Sequence, residues 1–449
     1  MTTEPATTTD DAEPVTGEPS YAGFLARKHR SVRPAGRVIA DGDVSQLLHP
    51  WQRRIVTWAV LTGRAAIWAD TGLGKTWMQL EAARLAGDRA LIVAPLAVCH
   101  QTVREAAKLG IAAQYVRADD DADGPGIWVT NYEMALRFDP VKLDMVVLDE
   151  ASILKQSNGK TRTALIRHFA GVRYRLACTA TPAPNDIEEL TSQAEFLGVM
   201  PRTEMLAAYF IHDNDGWRLK GHGRQPMFRW MTSWAVALTR PSDIGGSDEG
   251  YILPGYQVIP HLVIADVVQE GQLFATSLGG VGGRAAIRKM TLPARCEITA
   301  AIVAAEPAEP WVIWCGLNAE ADLLARLIPG AVNVHGSMTP ESKAAGLLGF
   351  ADGTIRVLIT KPSVASFGMN WQHCARMAFC GLSDSFESLY QAIRRCHRYG
   401  QGRLVDVHVV LSRLEGQIAE NVARKERQAA AMTAELVHEM RTAGELVIR

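Results

Sequence analysis

Apolar residues fall along this chain in short unbroken runs, and the runs come in two series. The first comprises AAIW (65–68), ALIVAP (90–95), IWVTNYE (127–133), MVVLDEAS (145–152) and YRLACTATP (174–182). Each run ends in polar or special residues, and stretches of helical spacing such as VCHQTVREAAKLG separate them. That alternation predicts buried parallel strands, whose carboxyl ends gather ligands. A second series follows: PWVIWCG (310–316), AVNVHG (331–336), IRVLIT (355–360), RMAFCG (376–381) and VDVHVVL (405–411). The fold class expected is α/β, with two tandem lobes, each a mostly parallel sheet flanked by helices.

Between the two series, from Pro201 to Pro254, the pattern loosens into aromatics at helical spacing and then a Gly/Ser/Asp-rich turn region. Trp230 and Trp234, four apart, are read there as packing residues in preference to a base-stacking pair. The turn-rich DIGGSDEGYILP (243–254) marks the domain boundary. The expected layout is an acidic disordered tail over 1–20, a basic arm over 21–46 and a first lobe over 47–250. A second lobe over 251–412 and a charged helix over 413–449 that could brace it complete the layout. Residues 1–20 hold five acids, no Lys or Arg and few large apolar groups, so they cannot repay their ordering entropy. For the arm that follows, a solvated segment and a contact to nucleic acid or to the folded body both remain open.

The first strand run leads into ADTGLGKT (69–76), and WMQLEAARLA with helical spacing comes next. Strand, glycine loop and helix in that order make a phosphate-binding loop. Gly72 and Gly74 let the backbone curl so that the N–H groups of Thr71 to Lys75, Leu73 included, face one anion at a helix N-terminus. Lys75 supplies a point charge for the β- and γ-phosphates, and Thr76 a hydroxyl ligand for Mg2+. Ala69 stands where the common pattern has its first glycine. The plain alternative is a glycine turn before an ordinary helix; the strand and helix context favours a nucleotide site.

Two further clusters gain meaning beside that loop. Asp149 and Glu150 end the MVVL run, where one carboxylate can hold Mg2+ through its water shell and the other polarise the attacking water. Gln52 lies ahead of the loop, before an amphipathic helix, and its amide can both donate to and accept from an adenine ring. In the second lobe, ESLYQAIRRCHRYGQ (387–401) places Arg395 and Arg398 three apart, on one face if the segment is helical. A guanidinium pair delivered across a cleft to a γ-phosphate would stabilise transition-state charge. A solvated basic helix is the alternative, against which Gln391 and the Tyr399-Gly400-Gln401 ending weigh.

Charge and composition change this picture little. The net charge of −1 hides the acidic tail, without which the remainder stands at +4, compatible with a groove that tracks phosphates. Seven cysteines at 99, 178, 296, 315, 374, 380 and 396 form no CxxC pair, so a zinc site or disulfide framework is not expected and a reducing compartment fits. No apolar run approaches the ~20 residues of a membrane span, and the polar, acidic N-terminus is wrong for a signal peptide. A cytoplasmic protein with no membrane partner is expected.

In their order, these segments resemble superfamily 2 helicases of the Swi/Snf-type DNA translocase branch, over roughly Leu47 to Leu411. Gln52 corresponds to the adenine-reading glutamine, ADTGLGKT to motif I, APLAV (94–98) to motif Ia and VTNYE (129–133) to the next strand-end motif. DEAS resembles motif II, TATP (179–182) motif III, SVASFGMNW (363–371) motif V and QAIRRCHRYGQ motif VI. The run LACTATPAPNDIEEL is similar to this branch's LTGTP followed by an Asn and an acidic-Leu pair. Two departures stand out: Ala365 and Ser366 replace two glycines of motif V, where Gly368 and Asn370 are kept, and Ser152 replaces a His. YAGFLARKHR, GRAAIWADTGLGKT and SWAVALTRPSDIG look like the short phage- or prophage-encoded DEAD/DEAH-box helicases of the branch.

The resemblance implies tandem RecA-like lobes that use ATP and Mg2+ in their cleft and DNA, duplex favoured, as partner. The expected function is ATP-driven translocation on DNA in phage-type replication or recombination, alongside proteins of those processes. A DNA-stimulated motor subunit of a restriction or counter-defence assembly is the alternative. An RNA helicase is a weaker one, since its motif VI would read HRxGR where this chain has HRYGQ. The oligomeric state is left open, a monomer included.

Overall fold

A computed structural model describes residues 31–155, 159–184, 186–213, 216–263, 288–364, 370–382, 386–412 and 416–444. All ten apolar runs are strands. In the first lobe they are β1 (Arg64–Ala69), β2 (Arg89–Ala94), β4 (Gly126–Asn131), β5 (Met145–Asp149) and β6 (Tyr174–Cys178). Two strands without a long apolar run join them, β3 (Ala113–Tyr115) and β9 (Ala235–Leu238). The sheet has the order β3-β4-β2-β5-β6-β1-β9, parallel throughout. A separate antiparallel hairpin, β7 (Phe210–Asp213) and β8 (Gly216–Leu219), stands off this sheet.

The second sheet holds β10 (Tyr256–Val263), β11 (Trp311–Cys315), β12 (Ala331–Val334), β13 (Val357–Thr360), β14 (Arg376–Cys380) and β15 (Val405–Ser412). Its order is β10-β15-β14-β11-β13-β12, again parallel. Strand alternation is plain in β11: Val312 and Trp314 enter one apolar cluster, Trp311, Ile313 and Cys315 the other, so the sheet is covered on both faces. The chain passes from one sheet to the other between Leu238 and Tyr256.

The loosened region between the two series is more ordered than its pattern suggests. AVAL, inside the stretch of helically spaced aromatics, is the edge strand β9, because its four residues are all buried against β1. Trp230 and Trp234 are core residues: both are buried, Trp234 lies edge-on to Trp68 at 5.6 Å and to Trp230 at 5.3 Å. Truncation of a side chain so enclosed costs about 3–5 kcal/mol.

Two terminal segments are placed differently from the simplest expectation. Of the basic arm, residues 35–37 donate backbone hydrogen bonds to the carbonyls of Thr62, Leu61 and Val60, so this part lies on the folded body; 1–30 fall outside the described residues. The C-terminal helix (Gly416–Gly444) does not simply brace the second lobe. Met432, Leu436 and Val437 are buried in the first lobe's core beside β9, and Arg224 of that lobe pairs with Glu435. Its other anchor is in the second lobe, where Tyr256 Oη donates to Glu426. The helix thus spans both lobes: Met432, Leu436 and Val437 enter the first lobe's core, and Ala429 packs against an apolar cluster of the second.

Candidate nucleotide site

Parallel pairing sets the site. Ile67 of β1 and Asp149 of β5 both pair with Cys178 of the β6 strand between them, so the loop after Ala69 and the Asp149–Glu150 pair emerge at one level of the sheet edge. Gly72 and Gly74 turn the loop with φ of 87° and 75°, the left-handed region in which glycine alone is unstrained. Gly74 caps the helix Lys75–Ala86. Thr71, Gly72, Gly74, Lys75 and Thr76 all line a cleft cavity of about 910 Å3. Lys75 Nζ donates to the carbonyls of Ala69 at 2.7 Å and Asp70 at 3.3 Å, which holds the ammonium inside the curl of the loop.

Gln52 is tied to this loop. Its Nε2 donates to the Leu73 carbonyl at 3.0 Å, and its Oε1 accepts from His49 N–H at 2.9 Å. A side-chain amide has two donors and two lone pairs, so one N–H and one lone pair remain after the loop contacts. Gln52 reaches the cavity wall; Leu73 is buried behind it.

The two acids sit in different surroundings. Asp149 is buried, and burial raises its carboxyl pKa against the lowering effects of the Gln79 hydrogen bond and the Lys75 charge. Its Oδ1 accepts from Gln79 Nε2 at 2.8 Å and from Glu150 N–H at 3.1 Å. Tyr132 Oη donates to the Asp149 carbonyl at 2.6 Å, and its phenol stays neutral because burial and then the acids push its pKa up. Glu150 has φ of 56°, which sets it apart from every other described non-glycine residue. That conformation costs roughly 1–2 kcal/mol, and it turns the Glu150 carboxylate into the cleft. Thr179 Oγ1, in the TATP run after β6, reaches Glu150 Oε2 at 3.3 Å and accepts from Thr181 N–H at 3.1 Å.

The second lobe closes the other side of the cavity with Asn370, Gln391, Arg394, Arg395, Arg398 and Tyr399. The helical face expected for the arginines is not what brings them together. The helix is Phe386–Ile393, and 394–400 form overwound turns, with Arg398 N–H bonded to the Cys396 carbonyl. Arg395 and Arg398 nonetheless converge in the cavity, and among the described residues neither guanidinium has a hydrogen bond or ion pair. Burial lowers both pKa values; the Glu150 charge counters this at Arg395, whereas the neighbouring Arg395 adds to it and takes Arg398 down to about 10. Arginine stays protonated in proteins, so these are two cations facing a pocket that an anion would satisfy.

A hard divalent cation fits the donors present. Thr76 supplies a hydroxyl and Asp149 a carboxylate whose burial favours a compensating charge. Among the described residues no group of three or more His, Cys, Asp or Glu occurs that could hold a metal ion. All seven cysteines are free and buried. Among the described residues no helix is long and apolar enough to cross a membrane.

Several residues at the site are not among the candidates read from the sequence, although Tyr132 and Arg394 stand inside motif segments. Gln79 lies three beyond Thr76 on the same helix, so a helical-face argument from Thr76 would find it. Tyr132 stands inside VTNYE, whose role in seating β5 needs the sheet order. Arg394 and Tyr390 face Asp70 across the cleft, a contact that no local spacing encodes. Ala365, Ser366 and Gly368 of the motif V stretch lie outside the described residues.

The profile of the SNF2-related domain matches residues 45–210, and that of the helicase conserved C-terminal domain matches 297–400. No curated protein matches the chain significantly. Among solved structures, the Sulfolobus solfataricus SWI2/SNF2 ATPase core in complex with dsDNA is similar at 17% identity and a TM-score of 0.43, with 89% of this chain and 97% of that chain covered.

Proposed function

We propose that this chain, an ATPase of the helicase type dependent on nucleic acid, with an SNF2-related domain followed by a helicase C-terminal domain in RecA-like lobes, couples ATP hydrolysis to movement along duplex DNA. The observation that carries this reading is the cleft itself: Lys75, Asp149 and Glu150 on one lobe face Arg395 and Arg398 on the other.

The N–H groups of Gly72 and of Gly74 to Thr76 and the Lys75 ammonium bind the β- and γ-phosphates, whereas Thr71 and Leu73 donate theirs to Asp70, and the spare edge of the Gln52 amide reads adenine. Gln391, on the opposite lobe, lines the same cavity and contacts the nucleotide from there. Thr76 and Asp149 would hold Mg2+, which would neutralise charge on the phosphates. Glu150 orients the attacking water and accepts its proton as the water oxygen bonds to the γ-phosphorus and the bond to the ADP oxygen breaks. Arg395 and Arg398 stabilise the charge that develops on the transferred phosphoryl oxygens. Because those arginines belong to the second lobe, hydrolysis requires closure, and closure is what converts turnover into a step.

The choice of duplex DNA is supported by the SNF2-related domain and by the TATPAPN and HRYGQ segments. Grip on the backbone is sequence-independent and weakens steeply with salt through counterion release. The likeness of YAGFLARKHR and its companion segments to phage-encoded helicases supports remodelling of forks, joints or bound proteins in replication or recombination. The test is ATP turnover with duplex DNA, single-stranded DNA and RNA at matched nucleotide concentration and moderate salt. Strongest stimulation by duplex DNA is expected. Strongest stimulation by RNA overturns the reading, and no stimulation by any of the three replaces it with a motor subunit that needs its assembly.

A further inference from the structure

Asp70, the residue that opens the phosphate loop after β1, joins the two lobes. Its backbone belongs to the first: Asp70 N–H donates to the Leu238 carbonyl at 3.0 Å, and its own carbonyl accepts from Lys75 Nζ. Its carboxylate is shared. Oδ1 accepts from Thr71 N–H at 2.6 Å and from Tyr390 Oη, and Oδ2 pairs with Arg394 Nη2 at 2.9 Å. The pair is mostly buried, with 16% of the Arg394 and 17% of the Asp70 side chain exposed.

The second-lobe half is built to meet it. Tyr390 and Arg394 lie four apart, bonded Arg394 N–H to Tyr390 carbonyl at 3.0 Å, and the guanidinium sits 4.9 Å above the Tyr390 ring. Burial and then the Asp70 charge hold the Tyr390 phenol well above its usual pKa, so it stays a donor. Arg394 Nη1 also contacts His397 Nδ1 at 3.2 Å; burial and Arg394 lower the His397 pKa to about 4, so that ring is neutral and accepts. Arg394 is therefore held on both sides, immediately before Arg395 and four residues before Arg398.

We propose that Asp70, Tyr390 and Arg394 form an interlobe clasp that places Arg395 and Arg398 against the phosphate loop. They are positioning residues: the clasp touches the loop backbone from behind while the next residues face the anion site. The proposal rests on the reading of Arg395 and Arg398 as γ-phosphate contacts. A clasp of this kind makes and breaks with each closure. Loss of one partner leaves a buried charge alone, whereas loss of both does not, so the two charged members must act as a unit.

The test is a double-mutant cycle in the full chain with saturating duplex DNA: Asp70→Asn, Arg394→Met and the two combined. Each single variant is expected to lower kcat by about 10- to 100-fold while KM for ATP stays within about threefold, because misplacement by an ångström is enough. The combined variant should be no slower than the slower single one. Unchanged kcat in both single variants, or losses that multiply, would overturn the clasp. Interlobe distance gives an independent measure. All seven native cysteines are buried, so dyes on Val141→Cys in the first lobe and Leu348→Cys in the second, both exposed positions, report closure by energy transfer. With a non-hydrolysable ATP analogue the clasp variants should show lower transfer than the clasped chain; equal transfer overturns the proposal. Arg398→Ala in the same assays separates the two readings: wild-type turnover there ends the arginine assignment, while transfer still judges the clasp.

Discussion

Gly74 and Gln52 occupy one another's space. A Cβ built on Gly74 would stand 2.4 Å from Gln52 Nε2, and Gly74 is in addition left-handed at φ 75°. Glycine here serves two ends at once, the turn of the phosphate loop and the approach of the amide that holds Leu73. Gly74→Ala should therefore push Gln52 off the loop and weaken nucleotide binding by at least about tenfold, in addition to the roughly 1–2 kcal/mol of left-handed strain in the fold itself. Titration with a fluorescent ATP analogue checks this, and unchanged affinity would show that Gln52 does not shape the loop.

Glu150→Gln keeps the Asp149 carboxylate and Lys75, so nucleotide affinity should stay near that of the wild type. Turnover should fall by about 10²-fold or more as the proton acceptor is lost. Steady-state ATPase beside equilibrium binding separates the two effects. Wild-type turnover in this variant would remove Glu150 from the chemistry.

Arg398 shares the cavity with Arg395 and feels the Glu105 charge, but among the described residues it forms no ion pair. Arg398→Ala should bind nucleotide on the first lobe and scarcely hydrolyse it, with or without DNA, a loss on the order of 10³-fold. A variant that keeps its DNA-stimulated ATPase would mean the turn is merely a basic surface.

Burial of the Asp149 carboxylate should make the wild type less stable than an Asn variant. Burial raises its carboxyl pKa in the folded state above the unfolded value of about 3.9. Over that interval the folded chain binds more protons, so stability falls as pH rises through it, and the whole penalty is present above the folded pKa. Without nucleotide and Mg2+, Asp149→Asn should melt at a higher temperature than the wild type near neutral pH. The difference should shrink as pH is lowered through the raised folded pKa and vanish below the unfolded value of about 3.9. Thermal unfolding across that range decides it; a lower melting temperature for the Asn variant at neutral pH would show that the Gln79 and Lys75 interactions outweigh burial.

The sequence by itself determined whatever local chemistry can encode. A buried parallel strand must be apolar through its length, so ten of the fifteen strands among the described residues announced themselves as runs. The phosphate loop was legible because a left-handed turn before a helix needs glycine, and Asp149 and Glu150 because that loop is present: without it, a helix N-terminus that favours acids would account for them as well. Strands with no such demand stayed hidden: β3 is only three residues at an edge, and β9 was masked by tryptophans whose spacing also suits a helix. Tertiary structure alone decided which strand ends meet. Parallel order placed β1 and β5 on either side of β6 and so put Lys75 beside Asp149, and an overwound turn, not a helical face, aimed Arg395 and Arg398. It also decided the partners of Asp70 and the seat of the C-terminal helix. Asp70 lies 324 residues from Arg394, and at such separations a contact depends on the packing of two whole lobes. Neighbouring residues carry no trace of it.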